Sequence, residues 1–328
     1  MNLCKAVRAM FAASALTLAA GPVLAELPNI AKPTPNKSTL DYGLKATKLA
    51  GGWYVIAGAN DDFSQANGCN IINTGFYMDD AGVYVINTGT SRLYGEQQRA
   101  LIDSVSKNKP VKQVVALNLH PDYFLGNQAY PKESLAATKL TIQGIKAEAA
   151  LYETNLYRLC GDWMKGTESV FPAQTIAPGG LRNFGSKPIQ TLELKGHTDS
   201  DLVVFDPESK VMWAGGLVFY KRIVTTPHAR LKPWIESLKK LQAMKPKVVV
   251  PSHGPVSWGG EAIDQTLDYL SWLEKRLTDA AAMGEEMNDV MKQGAPERFR
   301  SFAAYPAEFY RNVTNLYPLY EKQALGGF

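Results

Sequence analysis

From Trp53 onward the chain breaks into short apolar runs separated by clusters of Asn, Asp and Gly: WYVIAG (53–58), CNIINTGFYM (69–78) and GVYVIN (82–87). Their β-branched and aromatic content predicts a meander of strands, at least partly antiparallel. Ser91 to Ser106 changes period, placing Leu93, Leu101, Ile102 and Val105 on or near one face, which predicts a capped helix. VKQVVALNLH (111–120) reads as a continuous apolar strand that empties into a polar loop, HPDYFLGNQ. KLTIQGI (139–145) reads as a further strand, followed by a helix near 145–160. Strands are then predicted at PIQTLEL (188–194), DLVVFD (201–206), KVMWAGG (210–216) and KVVVPSHG (247–254), with a helix from about Leu231 to Met244 before the last. From Gly260 the pattern is helical, interrupted at Gly284, Gly294, Pro296 and Pro306. Strands alternating with helices predict an α/β fold in layers.

The first 25 residues stand apart from that pattern. Lys5 and Arg8 precede an apolar run of about a dozen residues, and Val23-Leu24-Ala25 supplies a small-residue cleavage pattern. The expectation is a secretory signal cut after Ala25, followed by a Pro-rich extended lead-in over 26–48; a membrane anchor is the alternative, although Gly21-Pro22 breaks the run early. With 45% hydrophobic and 20% charged residues the chain can build a core, which excludes disorder. Its 35 basic and 31 acidic side chains give no field strong enough to gather nucleic acid. In an oxidising compartment Cys69 and Cys160 are expected to form a disulfide; two buried thiols are the alternative, and a redox pair lacks the C-x-x-C spacing.

Three of the four histidines follow strands. Asn118, His120 and Asp122 alternate after one, His197 follows a second and His253 a third, whereas His228 in TTPHAR reads as a surface or loop residue. Carboxyl ends of strands are where α/β proteins present functional side chains. Taken in order, N-L-H-P-D-Y-F-L-G (118–126), G-H-T (196–198), A-G-G-L (214–217) and P-S-H-G-P (251–255) resemble the ligand motifs of the metallo-β-lactamase fold superfamily, over about Trp53 to Trp258. The resemblance implies an αββα sandwich of mixed sheets over 49–259, with a C-terminal helical extension over 260–328 packed on it. NGCNIINTGF, SRLYGEQQRA, GDWMKGTES and RNVTNLY are further similar to the exported quinoprotein relay system zinc metallohydrolases.

That resemblance implies two metals, one on three His and one on Asp, His and His, with a bridging Asp. Here the first motif His is Asn118, the last is Tyr123, the bridging Asp is Gly216, and a supporting Asp in the strand motif before it is Asn87. His120 and His197 remain from one set, with Asn118 as a weak amide-oxygen candidate; Asp122 and His253 remain from the other. Two expectations stay open. In one, a single zinc sits in a hybrid site of His120, His197, His253 and Asp122, with Asp122 as proton acceptor for hydrolysis of an ester, thioester or amide. In the other, no metal binds, Tyr123 fills the vacated space, and the cleft serves a ligand or partner, with Trp163, Trp213, Trp234 and Trp258 as wall or core. The resemblance implies a periplasmic accessory role beside a quinoprotein alcohol dehydrogenase or a cytochrome, with no nucleic-acid partner and no membrane span after signal cleavage.

Overall fold

The computed structural model describes residues 27–177 and 179–326. The expected signal segment lies outside the described residues. Among them, no helix is long and apolar enough to cross a membrane.

Two sheets face each other. The first runs in chain order through β1 (Ala46–Lys48), β2 (Trp53–Ile56), β3 (Thr74–Met78), β4 (Val83–Ile86), β5 (Val111–Val115), β6 (Leu135–Thr138) and β7 (Gln174–Ile176). It is antiparallel from β1 to β4 and parallel from β4 to β7. The second is built from β8 (Leu181–Phe184), β9 (Lys187–Leu194), β10 (Asp201–Phe205), β11 (Val211–Trp213), β12 (Val248–Val250) and β13 (Ser257–Trp258), with only β11 and β12 parallel. The helices are α1 (Arg92–Ser106), α2 (Pro121–Phe124), α3 (Lys139–Cys160), α4 (Leu231–Ala243), α5 (Glu261–Ala282), α6 (Met287–Gln293), α7 (Glu297–Arg300) and α8 (Ala307–Ala324).

The layers follow from which faces are apolar. Trp53, Val55, Ile86, Val115, Val204, Val211 and Trp213 fill the space between the sheets. Val83, Val85 and Val114 pack on Ile102 of α1, and Ile145 and Leu156 of α3 join an adjoining cluster. On the far side Val203, Met212 and Val249 bury Trp234 of α4, Leu270 of α5 and Phe309 and Val313 of α8. The result is the expected αββα sandwich of mixed sheets, with the C-terminal helices on its second sheet. Gly75 permits the central contact, because a Cβ there would lie 2.4 Å from the Trp213 ring. Buried Asp206 joins the sheets by accepting from Trp53 Nε1 at 3.1 Å and Lys187 Nζ at 2.9 Å.

Several sequence expectations change. VKQVVALNLH is a strand only to Val115, and HPDYFLGNQ is helical, with α2 followed by a 3-10 segment over Leu125–Ala129. KLTIQGI is the opening of α3: Thr138 caps the helix by accepting from Thr141 N–H, so the cap overrides the β-branched run. CNIINTGFYM is a strand only from Thr74, because Cys69 has φ 59° and Asn73 uses its side chain to hold neighbouring loops. The lead-in contributes β1 at the edge of the first sheet.

Cys69 and Cys160 are bonded to each other, with Cα atoms 6.0 Å apart. Both are fully buried, and the link spans 91 residues. Replacing both with Ala is predicted to lower the unfolding free energy by about 3 kcal/mol in chemical denaturation, the loop-entropy figure reduced for native strain. A loss below about 1 kcal/mol would contradict a load on this cross-link.

Candidate functional site

Five strand ends gather at one edge of the sandwich, and His120, Pro121, Asp122 and His253 from them line a cleft there. Asn87 follows β4, Asn118 to Tyr123 follow β5, His197 lies between β9 and β10, Gly216 follows β11 and His253 follows β12. Asn87 adopts φ 56°, a left-handed conformation that Asn tolerates, and its Oδ1 accepts from Leu117 N–H at 3.0 Å. An amide therefore performs the bracing that a carboxylate was expected to supply. Leu117 in turn accepts from Leu202 N–H at 2.9 Å, linking the end of the first sheet to β10.

Asn118 is fully buried and engaged at both ends of its carboxamide. Nδ2 donates to Asp201 Oδ1 at 2.5 Å, and Oδ1 accepts from His120 N–H at 3.0 Å. Asp201 also accepts from Thr198 N–H at 2.9 Å and from the Thr198 hydroxyl at 3.2 Å. Sequence reasoning missed Asp201. Its signal was present in the T-D-S-D run, where Thr198 and Asp201 are three apart just before the apolar run Leu202 to Phe205. Burial raises the Asp201 carboxyl to about 7 against the opposing effect of these donors.

His228 is not isolated from the others. His197 Nε2 lies 3.0 Å from His120 Nδ1, and His120 Nε2 lies 2.9 Å from His228 Nδ1. The half-buried His228 then approaches Glu148 at 3.6 Å. His228 lies in a turn and is partly exposed, as expected of a loop residue, but its place in this row was not foreseen, because the partner is 108 residues away. Burial, then the neighbouring imidazoles, holds His120 well below the usual histidine range, and the same causes bring His197 down to about 3.

His253 stands apart from that row behind the Phe219 ring, which packs 4.9 Å from its own ring and 5.4 Å from that of His197. Its Nδ1 is 3.0 Å from the Ile71 carbonyl, and its Nε2 is 3.7 Å from Asp122 Oδ2. Burial raises Asp122 to about 7 and lowers His253, whose neighbour Arg222 adds to the effect. Tyr123 is fully buried in the core between the sheets, where its ring packs with Leu117 and Trp213. Of the tryptophans, Trp163, Trp213 and Trp234 are core residues, and Trp258 packs half-buried against the intersheet cluster. None of the four lines the cleft.

The cleft has a volume of about 470 Å³. His120, Asp122, Arg222 and His253 line its floor, Tyr152 and Leu156 of α3 one wall, and Glu308 and Arg311 of α8 another.

The metallo-beta-lactamase superfamily profile matches residues 67–253, more than half of the chain. The chain belongs to this superfamily. It is 20% identical over 282 residues to a linear primary-alkylsulfatase of Pseudomonas sp. (strain ATCC 19151), a match covering 71% of the chain and 52% of that relative, so the chain spans about half the relative's length. A metallo-beta-lactamase from Pontibacter korlensis superposes with a TM-score of 0.55 at 25% identity, over 70% of this chain and 99% of that one. The DIM-1 metallo-beta-lactamase exposed to ceftazidime gives 0.54 at 18%, over 70% and 97%.

Superfamily sites commonly hold zinc, and the residues here do not fit a two-metal centre. The donors come as the row His197, His120 and His228, whose ring nitrogens bond to one another, and the separate pair Asp122 with His253, and among the described residues no three His, Cys, Asp or Glu side chains form a metal-holding group. Asn118 is held by Asp201. At Gly216 a Cβ would lie 2.2 Å from His197 Cδ2, so the imidazole occupies the space that a bridging side chain would need.

The buried groups predict opposite pH dependences. Between about 3 and 6.5 the folded state holds His197 neutral while the unfolded chain protonates it, so its contribution raises stability as pH rises through that window. Between 3.8 and about 7 the folded state holds the Asp122 proton longer, so its contribution lowers stability as pH rises. From pH 4 to 6, the stability difference between the native protein and His197→Gln is predicted to widen by up to about 1.4 kcal/mol per pH unit, and that for Asp122→Asn to shrink. Urea midpoints at several pH values measure both; parallel curves would contradict the burial of these groups.

Proposed function

We propose that this protein is a ligand-binding member of the superfamily whose cleft works without a di-metal centre, in an accessory role beside a periplasmic quinoprotein alcohol dehydrogenase. The observation that carries the first part is at Gly216, where the His197 ring fills the bridging position. The Asn118 to Asp201 hydrogen bond supports it, because it turns a ligand position into a brace. The cleft itself suits a small molecule, being concave, mostly apolar and supplied with a few convergent polar groups. Export and the quinoprotein partner rest on the sequence resemblance: the leader pattern ending at Ala25 and the segments NGCNIINTGF, GDWMKGTES and RNVTNLY.

A second reading is a hydrolase with one zinc drawn from His120, His197, His253 and Asp122. It is favoured by the 3.0 Å approach of His120 Nδ1 to His197 Nε2 and by hydrolytic relatives such as the alkylsulfatase. On that reading the zinc would polarise a carbonyl or sulfate ester. Elemental analysis of residues 26–328, purified without chelator or a histidine tag, separates the two. The expected result is below about 0.1 equivalent of any transition metal, with a melting temperature unmoved by chelation. About one equivalent, lost in a His120→Ala/His197→Ala double variant, would overturn the metal-free reading in favour of the hydrolase.

A further inference from the structure

Arg222 is a buried cation at the cleft. It is 2% exposed and lies in the floor of the cleft, beside the ring of Phe219. Nε donates to the Asp61 carbonyl at 2.9 Å and Nη1 to the Ile223 carbonyl at 3.1 Å. Both partners are neutral. The nearest carboxylate, Asp62, is 3.9 Å from Nη2, beyond hydrogen-bond range, and is itself bonded to Arg311 at 2.5 Å. Two of the five guanidinium N–H groups are therefore engaged on backbone, and the terminal edge, one Nη1 hydrogen and both on Nη2, has no hydrogen-bond partner among the described residues, in a side chain that lines the cleft.

Glu308, Asp62 and Asp122 supply counter-charge to Arg222 without hydrogen-bonding to it, so its unpaired edge keeps its donors, and a guanidinium edge matches a two-oxygen anion in a bidentate pair. A second polar group waits nearby: the Tyr152 hydroxyl lines the same cleft, is buried, and has no hydrogen-bond partner among the described residues. Apart from the polar wall of Glu308, Arg311 and Asn315, an apolar stretch of lining is formed by Phe63, Ile71, Pro121, Leu156, Leu159 and Pro227. Leu159 is 49% exposed at the end of α3, so the apolar surface continues out of the cleft. Asp62, Asp122 and Glu308 also line it, with Arg311 paired to Asp62 and Glu308, and these carboxylates would repel a second negative charge on the ligand.

We infer that the cleft binds a small amphipathic monoanion, its carboxylate or sulfate head on the free edge of Arg222 and its apolar body along the wall of Phe63, Leu156 and Leu159. This rests on the reading of the cleft as a metal-free ligand site and names the ligand class for it. The head is set by a permanent charge, so binding does not require any histidine or carboxyl to change its proton.

Isothermal titration calorimetry of residues 26–328 with octanoate, octyl sulfate and 1-octanol tests it. The expected result is that at least one anion binds about tenfold or more tighter than 1-octanol, as a hydrogen-bonded charge pair implies, and that Arg222→Gln removes this advantage. A preference for octanoate identifies a carboxylate head, and one for octyl sulfate a sulfate ester; either supports the inference. Leu159→Ser, an exposed substitution that leaves the core untouched, is expected to weaken the anion several-fold by shortening the apolar wall. Equal binding of octanol and the anions, or no binding of either anion, would overturn it. Because Arg222 also holds two backbone carbonyls, circular dichroism checks the fold of Arg222→Gln, and the octanoate to octanol contrast in the unmodified protein decides the matter without that variant. Bound metal would overturn the metal-free reading; a metal-free protein indifferent to both anions would overturn only this inference.

Discussion

The buried hydrogen bond from Asn118 to Asp201 is the constraint on which the cleft depends. It links the segment after β5 of the first sheet to the start of β10 of the second, next to the Leu202 to Leu117 backbone bond and one residue beyond the brace from Asn87. A carboxylate with no access to water must be met by donors, and Asn118 and Thr198 supply three. In doing so they fix the backbone of His120 and the turn that carries His197. The side chains of the cleft are thus positioned by hydrogen bonds between strand ends, where an intact superfamily site would be organised by its metals.

Neutrality follows from that arrangement. His120, His197 and His253 are all buried and depressed, and a row of imidazoles at 2.9 and 3.0 Å needs no charge to hold together. The fixed charge in the floor is Arg222, supplied by the loop after Gly216 and tied by backbone bonds to Ala303 in the C-terminal extension. The extension therefore does more than cover the second sheet. Through Glu308 and Arg311 it also builds one wall of the cleft, outside the segment that the superfamily profile matches.

Much of this was legible in the sequence, for identifiable reasons. Strand runs such as PIQTLEL and DLVVFD are long enough, and the Ser91 cap specific enough, for local pattern to match the observed elements. KLTIQGI misled because its β-branched residues are also consistent with a helix whose start is set by one hydroxyl at Thr138. The polar stretch after Val115 looked like a loop because it is helical only over single turns. At the site, the motif residues could be placed by resemblance, whereas Asp201, His228 and Arg222 act through contacts across 83, 108 and 161 residues, which no spacing rule reveals.

A double-mutant cycle on Asn118 and Asp201, each replaced by Ala singly and together, reads the central interaction directly through unfolding free energies. A buried amide bonded to a buried carboxylate should couple by about 2 kcal/mol, with the double variant less destabilised than the sum of the singles. Additivity within about 0.3 kcal/mol would contradict the account, because the cleft would then not depend on this bond.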